Sequence, residues 1–99
     1  MRATLLLKSR EPLGDGRFIE RVVWKVLAAL AGSKQSFKYR LAFLVKGRCV
    51  VRYDNEAGKG NHRHWLAADG VERESAYNFR SVEALLDDFW LDVEQWREA

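Results

Sequence analysis

Residues 37–45 carry the pattern that most constrains the fold, because bulky apolar side chains alternate there with charged or smaller ones. A period of two predicts a β-strand with one buried face. Lys46-Gly47 is typical of a tight turn, and residues 49–53 again combine β-branched and aromatic side chains. These segments together predict a β-hairpin, so we expect the chain to build an antiparallel sheet.

Two registers are open to this hairpin. A two-residue turn pairs Val45 with Arg48, whereas a three-residue turn pairs Val45 with Cys49. The apolar pattern favours the three-residue turn, because a slip of one residue moves the apolar set of a strand to its other face. This register places one apolar set together: Tyr39, Leu41, Phe43, Cys49, Val51 and Tyr53. It places a charged set on the opposite face: Lys38, Arg40, Arg52 and Asp54.

Further strands are expected on both sides of the hairpin. Residues 3–8 form a short strand candidate, and residues 17–27 are rich in β-branched and aromatic side chains that predict a longer strand. The run 11–16 holds the only proline of the chain with two glycines and an aspartate, which predicts a connection. A fifth strand is expected around residues 65–68 or residues 76–79.

The C-terminal segment predicts a helix over about 82–97. Ser81 is a suitable N-cap, and Glu83 is in the first turn, where the helix dipole favours negative charge. An apolar stripe at helical spacing is expected to cover one face of the sheet. The stripe consists of Val82, Leu85, Leu86, Phe89, Val93 and Trp96.

These elements predict an α+β fold in a single domain over residues 1–99, with strands in about 3–79. The expected architecture is an antiparallel, meander-like sheet of four to five strands, covered by one C-terminal helix.

Length and composition exclude several classes of protein. The chain has 99 residues, and no apolar run approaches the ~20 residues that a membrane-spanning helix needs. Cys49 is its only cysteine, which excludes an internal disulfide and a multi-cysteine zinc site. The run after Met1 lacks the small-residue cleavage site of a signal peptide. We therefore expect a cytoplasmic protein.

Charge is distributed unevenly along the chain. Residues 1–66 carry fourteen Lys and Arg against five Asp and Glu, whereas residues 67–99 carry three Arg against nine Asp and Glu. A basic segment can neutralise phosphates, as proteins that bind nucleic acids do. A solvated sheet face balanced by an acidic helix would give the same distribution, so the signal needs support from residues that carry chemistry.

Such residues lie between Tyr53 and Trp65. Both histidines of the chain are here, and in an extended segment His62 and His64 point the same way while Arg63 points the opposite way. Histidine titrates near neutral pH, so a pair can supply a general base and a general acid. Lysine and arginine can stabilise the negative charge that develops on a phosphate. Metal-independent RNA cleavage requires these groups.

This chemistry assigns roles to two sets of residues. The predicted catalytic set consists of His62, His64, Arg63, Lys59, Tyr53 and Asp54. Tyr53 is included as an auxiliary proton donor or a stacking platform. The predicted nucleic-acid-binding set consists of Lys38, Arg40, Arg52, Lys59 and Arg63.

Two other interpretations of the segment stay open. The His-x-His pair could hold a metal ion with Asp54 or Glu56, although Lys59 and Arg63 would repel a cation. Alternatively, the polar residues before the glycines cap a surface turn and the histidines are only solvated. Gly58-Lys59-Gly60 lacks the spacing of a phosphate-binding loop, which argues against nucleotide hydrolysis.

Short motifs over most of the chain form a further pattern. They are Phe37-Lys38-Tyr39-Arg40-Leu41-Ala42-Phe43, Tyr53-Asp54-Asn55-Glu56, Gly58-Lys59-Gly60, His62-Arg63-His64, Tyr77-Asn78-Phe79, Ser81-Val82-Glu83 and Leu85-Leu86-Asp87-Asp88-Phe89. The sequence resembles the TumE family from about Leu5 to Trp96. Members of this family are small proteins regarded as toxins of bacterial toxin–antitoxin modules. The resemblance implies a partner antitoxin, usually a DNA-binding protein from the same operon.

The interpretation that unites these observations is a cytoplasmic toxin that acts on RNA as a metal-independent endoribonuclease and uses no cofactor. Its expected partners are a cognate antitoxin from a neighbouring gene and RNA as the substrate, with no membrane involved. The sequence leaves open whether the chain forms a homodimer. The alternatives are a non-catalytic nucleic-acid- or protein-binding module that acts by occupancy, and a metal-dependent hydrolase.

Overall fold

The computed structural model describes residues 3–26, 37–56 and 60–96, and within these ranges it contains six β-strands and one α-helix. The strands are β1 (Ala3–Gly14), β2 (Arg17–Val26), β3 (Phe37–Val45), β4 (Arg48–Glu56), β5 (Gly60–Leu66) and β6 (Glu72–Ala76), and the helix is α1 (Val82–Gln95). Each strand pairs antiparallel with the next, in the order β1-β2-β3-β4-β5-β6. The predicted meander with a C-terminal helix is confirmed, but the sheet has six strands rather than four to five.

The additional strand arises around the histidine segment. The His-x-His motif itself forms β5, and β6 follows after a turn in which the Gly70 N–H donates to the Ala67 carbonyl oxygen at 2.9 Å. The predicted ranges 65–68 and 76–79 overlap these strands only at their ends, since β5 ends at Leu66 and β6 ends at Ala76. β6 is the edge of the sheet and is mostly exposed, so it lacks the alternation that marks a half-buried strand.

The connection between β1 and β2 is shorter than predicted. β1 continues through Pro12 to Gly14, so that only Asp15 and Gly16 form the turn. Proline removes one backbone donor, and this is tolerated because β1 is the other edge of the sheet. Leu27, the predicted end of the second strand, lies outside the described residues.

The turn between β3 and β4 differs from the favoured prediction. Lys46 and Gly47 form a two-residue turn with φ of +51° and +80°, and Val45 pairs with Arg48. The predicted three-residue turn is therefore wrong. Positive φ at both central residues gives a turn whose twist matches that of the flanking strands, which explains its preference here.

A β-bulge then restores the predicted register. Val50 is the extra residue of the bulge, and beyond it Phe43 pairs with Val51, as the apolar pattern predicts. Before the bulge, Cys49 pairs with Leu44 instead. Cys49 thus lies on the face opposite Phe43, which corrects its assignment to the apolar set.

The two faces of the sheet differ in what covers them. The helix face packs against α1 and forms the core, whereas the open face is the side away from α1. The buried core includes Ile19, Val23, Tyr39, Leu41, Phe43, Val51, Tyr53, Leu85, Phe89 and Val93. Burial of a side chain such as Phe43 or Phe89 contributes on the order of 1.5–3 kcal/mol.

The helix forms as its sequence predicts. Ser81 is the N-cap, and its Oγ accepts a hydrogen bond from the Ala84 N–H at 3.0 Å. The predicted stripe is confirmed, since three of its members are buried and the others pack partly buried against the core. α1 ends at Gln95, and residue 97 lies outside the described residues. No helix in the described part of the chain is long and apolar enough to cross a membrane.

Candidate functional site

The two histidines lie side by side on the open face of β5, with ring centroids 6.2 Å apart. About a quarter of each side chain is exposed, 25% for His62 and 27% for His64. Because β5 is extended, successive side chains point to opposite faces, and Arg63 lies on the helix face. Two adjacent imidazoles on one accessible surface can contact two oxygens of the same bound group.

Charged residues of the neighbouring strands surround this pair. In the sheet register, Asp54 of β4 is opposite His62, and Arg52 is opposite His64. On the other side of His64 lies Glu74 of β6. Directly opposite side chains on one face have Cβ atoms about 4.5–5.5 Å apart, so the register alone brings these groups into contact range.

Asp54 is the most buried charged group of this set, with 13% of its side chain exposed. Its Oδ2 lies 3.0 Å from Nε of Arg52, and its Oδ1 lies 3.6 Å from Nε2 of His64. A carboxylate removed from water needs compensating charge, which Arg52 supplies. Arg40 is the cross-strand neighbour of Asp54 in the register, but the carboxylate contacts Arg52 instead.

Sequence reasoning missed Glu74. Its Oε2 lies 3.2 Å from Nδ1 of His64, and its Oε1 lies 3.9 Å from Nδ1 of His62. The only signal in the sequence is an acidic residue ten positions after His64, and the register of an exposed edge strand cannot be read from its pattern. With Glu74 on one side and Asp54 on the other, His64 has a carboxylate near each ring nitrogen.

The predicted nucleic-acid-binding residues differ in their environments. Arg40 and Lys38 of β3 are exposed, and within residues 3–26, 37–56 and 60–96 neither takes part in an ion pair. Arg52 is engaged with Asp54 and is only partly exposed, at 35% of its side chain. Lys59 lies outside the described residues.

Two predicted catalytic residues, Arg63 and Tyr53, meet on the helix face instead. Nε of Arg63 lies 2.5 Å from Oδ2 of Asp92 on α1, and the Tyr53 hydroxyl donates to the same oxygen at 2.6 Å. The guanidinium of Arg63 also lies over the ring of Trp65, 4.2 Å from its centroid. The structure therefore separates Arg63 and Tyr53 from the histidines by the thickness of the sheet.

The environment of this helix-face cluster shifts two pKa values. Burial, and then the hydrogen bond to Asp92, raises the pKa of Tyr53 well above its usual range. The hydrogen bond to Asp92 raises the pKa of Arg63. At neutral pH the cluster is thus a neutral phenol, a guanidinium and their shared acceptor Asp92. Groups that do not titrate near the working pH suit a fixed contact between β5 and α1 better than proton transfer.

Comparison with known protein families identifies the family of this chain. The model of the family described as Toxin TumE matches residues 3–97, nearly the whole chain. The chain belongs to the TumE toxin family. This membership confirms the resemblance of the sequence motifs and supports a toxin role. No curated protein and no solved structure matches the chain significantly.

The TumE match does not by itself identify the working surface of the toxin. Its range includes the open-face histidines as well as Arg63 and Asp92 on the helix face. Exposure does not separate the two faces, since Arg63 is 29% exposed and the histidines are 25% and 27% exposed. The faces differ in chemistry: the open face carries both imidazoles, whereas Arg63 and Tyr53 share Asp92 of α1 as their hydrogen-bond acceptor.

Proposed function

We propose that this TumE-family toxin cleaves RNA without a metal ion, and that its active site lies on the open face around His62 and His64. The observation that carries the proposal is the placement of both imidazoles on one exposed face, 6.2 Å apart. RNA cleavage needs two groups that exchange protons near neutral pH, and these are the only histidines of the chain.

In the proposed reaction, His62 accepts the proton of a ribose 2′-hydroxyl, and the 2′-oxygen attacks the adjacent phosphorus. The bond between phosphorus and the 5′-oxygen breaks, and His64 donates a proton to that leaving oxygen. The products are a 2′,3′-cyclic phosphate and a 5′-hydroxyl. Nδ1 of His62 is buried, and Nε2 is the nitrogen proposed to meet the substrate.

The assignment of His64 as the general acid follows from its two carboxylate neighbours. Glu74 lies near Nδ1 and Asp54 near Nε2. Only the protonated imidazole carries a donor on both nitrogens, and this is the state from which a general acid starts. The Glu74 contact at Nδ1 also orients the ring, and Nε2, which lies 3.6 Å from Asp54, is the nitrogen proposed to donate to the leaving oxygen.

Arg40 and Lys38 are proposed to bind the phosphates of the RNA, together with Lys59. Both of the described residues are exposed on β3, one strand away from Asp54 and Arg52. Arg52 has a double role in this proposal: its Nε lies beside Asp54, and its Nη donors are proposed to contact a phosphate of the substrate. Arg63 and Tyr53 then act as positioning residues, which hold the histidine strand against α1.

We also propose that a cognate antitoxin from a neighbouring gene binds this toxin in the cytoplasm. An acidic segment of that partner would complement the exposed cations of the open face, and complementary charge accelerates association. Co-expression of the neighbouring gene should abolish toxicity. A pull-down in which no adjacent gene product binds the toxin would contradict this part of the proposal.

Incubation of the purified protein with total RNA, with and without EDTA, tests the proposed function. Cleavage in EDTA that leaves 2′,3′-cyclic phosphate ends supports the two-histidine mechanism. Cleavage that EDTA abolishes supports a metal-dependent hydrolase. In the described ranges, no three His, Cys, Asp or Glu side chains are arranged to hold a metal ion.

The second candidate function is a binding module that inhibits its target by occupancy. The exposed Arg40 and Lys38 favour it, because free cations on a sheet face bind phosphates without any chemistry. RNA that binds the purified toxin but stays intact would replace the endoribonuclease with this alternative.

A further inference from the structure

A cavity of about 280 Å³ opens beside His64, at the end of the sheet where β4 diverges from β5. The pairing of these two strands ends at Val51 and Trp65, while β4 begins three residues earlier at Arg48. The β-bulge at Val50 lies at this end of β4, and Val50 itself lines the cavity.

Open-face side chains of three strands line the cavity. They are Cys49, Arg52, His64, Leu66, Glu72 and Glu74. Leu66 supplies an apolar contact, and burial raises the pKa of the Cys49 thiol, which therefore stays uncharged at neutral pH. Arg52 and His64 lie on the side of the proposed active site, and the two glutamates lie on the side of β6.

The size and lining of the cavity suit one nucleobase. Small-molecule sites usually occupy about 300–1,000 Å³, so this cavity is at the lower limit and admits a single ring system rather than a larger ligand. Its lining is more polar than apolar, so an occupant would be recognised mainly through hydrogen bonds, with Leu66 as an apolar contact. His64 lines the cavity, so a base bound there would lie next to the phosphate that is cleaved in the proposed reaction.

The two glutamates of the cavity differ in their contacts. Glu74 is already engaged with the histidines, and the Arg73 guanidinium is paired with Asp69 at 2.6 Å. Glu72 takes part in no ion pair within the ranges 3–26, 37–56 and 60–96. An ionised carboxylate only accepts hydrogen bonds, through two oxygens. Guanine alone among the RNA bases presents two adjacent donors, N1–H and N2–H, on its Watson–Crick edge.

We propose that this cavity is a guanine-binding subsite, in which the Glu72 carboxylate accepts two hydrogen bonds from the base and Leu66 contacts the ring. The effect of this subsite on cleavage rests on the proposed function, because a guanine held beside His64 would direct cleavage to the phosphate adjacent to that guanosine. A bidentate contact of this kind discriminates against the wrong base by about 10- to 100-fold.

Binding of nucleoside 3′,5′-bisphosphates to the full chain tests the subsite apart from catalysis, because these ligands carry a phosphate on either side of the sugar. Guanosine bisphosphate should bind about 10- to 100-fold more tightly than the adenosine, cytidine and uridine compounds. Inosine bisphosphate lacks the 2-amino group and should lose most of this preference. Glu72→Gln should also remove it, whereas Glu20→Gln, on the same face but paired with Arg10, should not.

The possible outcomes separate this inference from the proposed function. Guanosine-selective binding that depends on Glu72, with no cleavage of any RNA, supports the subsite and rejects the endoribonuclease. Equal binding of all bisphosphates overturns the subsite whether or not the protein cleaves RNA. Cleavage without regard to sequence also overturns it. Selectivity that survives Glu72→Gln overturns the role of that carboxylate. The inosine comparison uses the unmodified protein, so a folding defect of a variant cannot decide the result.

Discussion

The two faces of β5 place charged and titratable residues in different environments. On the open face, His62 and His64 are partly exposed and have Arg52 and two carboxylates as neighbours. The imidazole nitrogens lie 3.2–3.9 Å from the carboxylate oxygens of Asp54 and Glu74. On the helix face, Arg63 has one carboxylate partner, at 2.5 Å. The open face thus holds several charges at longer distances, whereas the helix face holds one short contact between a strand and α1.

This difference shows that chemical type within a motif does not identify function. Arg63 is in the middle of the His-x-His segment, yet the period of two of the strand carries it away from both histidines. Conversely, Glu74 is ten residues away in the sequence and lies against His64. Sheet register, rather than proximity in the chain, decides which groups can act together.

Loss of either histidine should have the largest effect on activity. His62→Ala and His64→Ala should each lower RNA cleavage by roughly 10²–10⁴-fold, because each removes one proton-transfer group. The two losses should be far from additive, since both groups act in the same step. Rates measured on RNA, with circular dichroism to confirm folding, check this expectation. A doubly substituted toxin that still arrests growth at wild-type expression levels would contradict it.

The two histidine variants also act as controls for each other. A guanosine 3′-phosphodiester with a 4-nitrophenol leaving group needs no proton on the departing oxygen. His64→Ala should therefore recover most of its lost rate on this substrate, whereas His62→Ala should not. Recovery by His62→Ala alone would reverse the assigned roles.

Alkaline titration should test whether the tyrosines packed on the helix face are closed to solvent. The pKa values of all three tyrosines, Tyr39, Tyr53 and Tyr77, are raised well above the usual value, chiefly by burial. Their contribution to stability is therefore fully present below the unfolded pKa of about 10 and decreases as the pH rises above it. The decrease is about 1.4 kcal/mol per pH unit for each tyrosine that stays protonated in the folded chain.

Tyrosinate absorbance and circular dichroism, recorded on the same samples, provide the measurement. Because the folded chain holds the phenols neutral, absorbance should rise only when the sheet unfolds. Tyrosinate that forms well before the loss of ellipticity would show that the phenols are accessible to solvent in the folded chain.

The regular elements could be predicted because their burial produces a pattern. The alternation of residues 37–45 and the stripe of α1 both follow from one buried face. The edge strand β6 is mostly exposed, so its sequence carried no such pattern, and Glu74 was missed with it. The Val50 bulge was missed because the two-residue turn and the apolar pattern specify different registers, and one extra residue in β4 reconciles them.

Long-range contacts were the other limit of sequence reasoning. The separation of His62 and His64 from Arg63 followed from the period of a strand, and the structure has this geometry. Nothing in the sequence indicated that Asp92, twenty-nine residues after Arg63, would bind it. Because Asp92 was not recognised as its partner, Arg63 was grouped with the two adjacent histidines on residue type alone.

Substitution within the helix-face cluster should lower stability rather than catalysis. Arg63→Ala and Asp92→Asn should each lower the free energy of unfolding by about 1–3 kcal/mol, because each leaves a partly buried polar group without its partner. The double variant should cost less than the sum, since both changes remove the same contact. Denaturant unfolding provides the values. A roughly 10²-fold lower rate at saturating RNA, with unchanged stability, would instead return Arg63 to the stabilisation of developing charge.

The smallest expected effect distinguishes two arginines of the open face. Arg40 is exposed without an ion pair in the described part of the chain, whereas Arg52 lies 3.0 Å from Asp54. Arg40→Ala should therefore weaken RNA binding and lower the salt dependence of binding by about 0.7 in log–log slope, the value for one phosphate contact on a single strand. Its rate at saturating RNA should stay nearly unchanged, because binding is lost equally from the ground state and the transition state.

Arg52→Ala should weaken RNA binding as well, but it should also lower the free energy of unfolding by about 1 kcal/mol, because Asp54 loses its partner in a partly exposed pair. Affinity, salt slope, saturated rate and unfolding are measured for both variants under the same conditions. If Arg40→Ala and Arg52→Ala change all four quantities alike, the ion pair between Arg52 and Asp54 contributes nothing to binding, rate or stability. If Arg40→Ala lowers the saturated rate instead of the affinity, Arg40 contacts the reacting phosphate, and the phosphate-binding set must be redrawn around it.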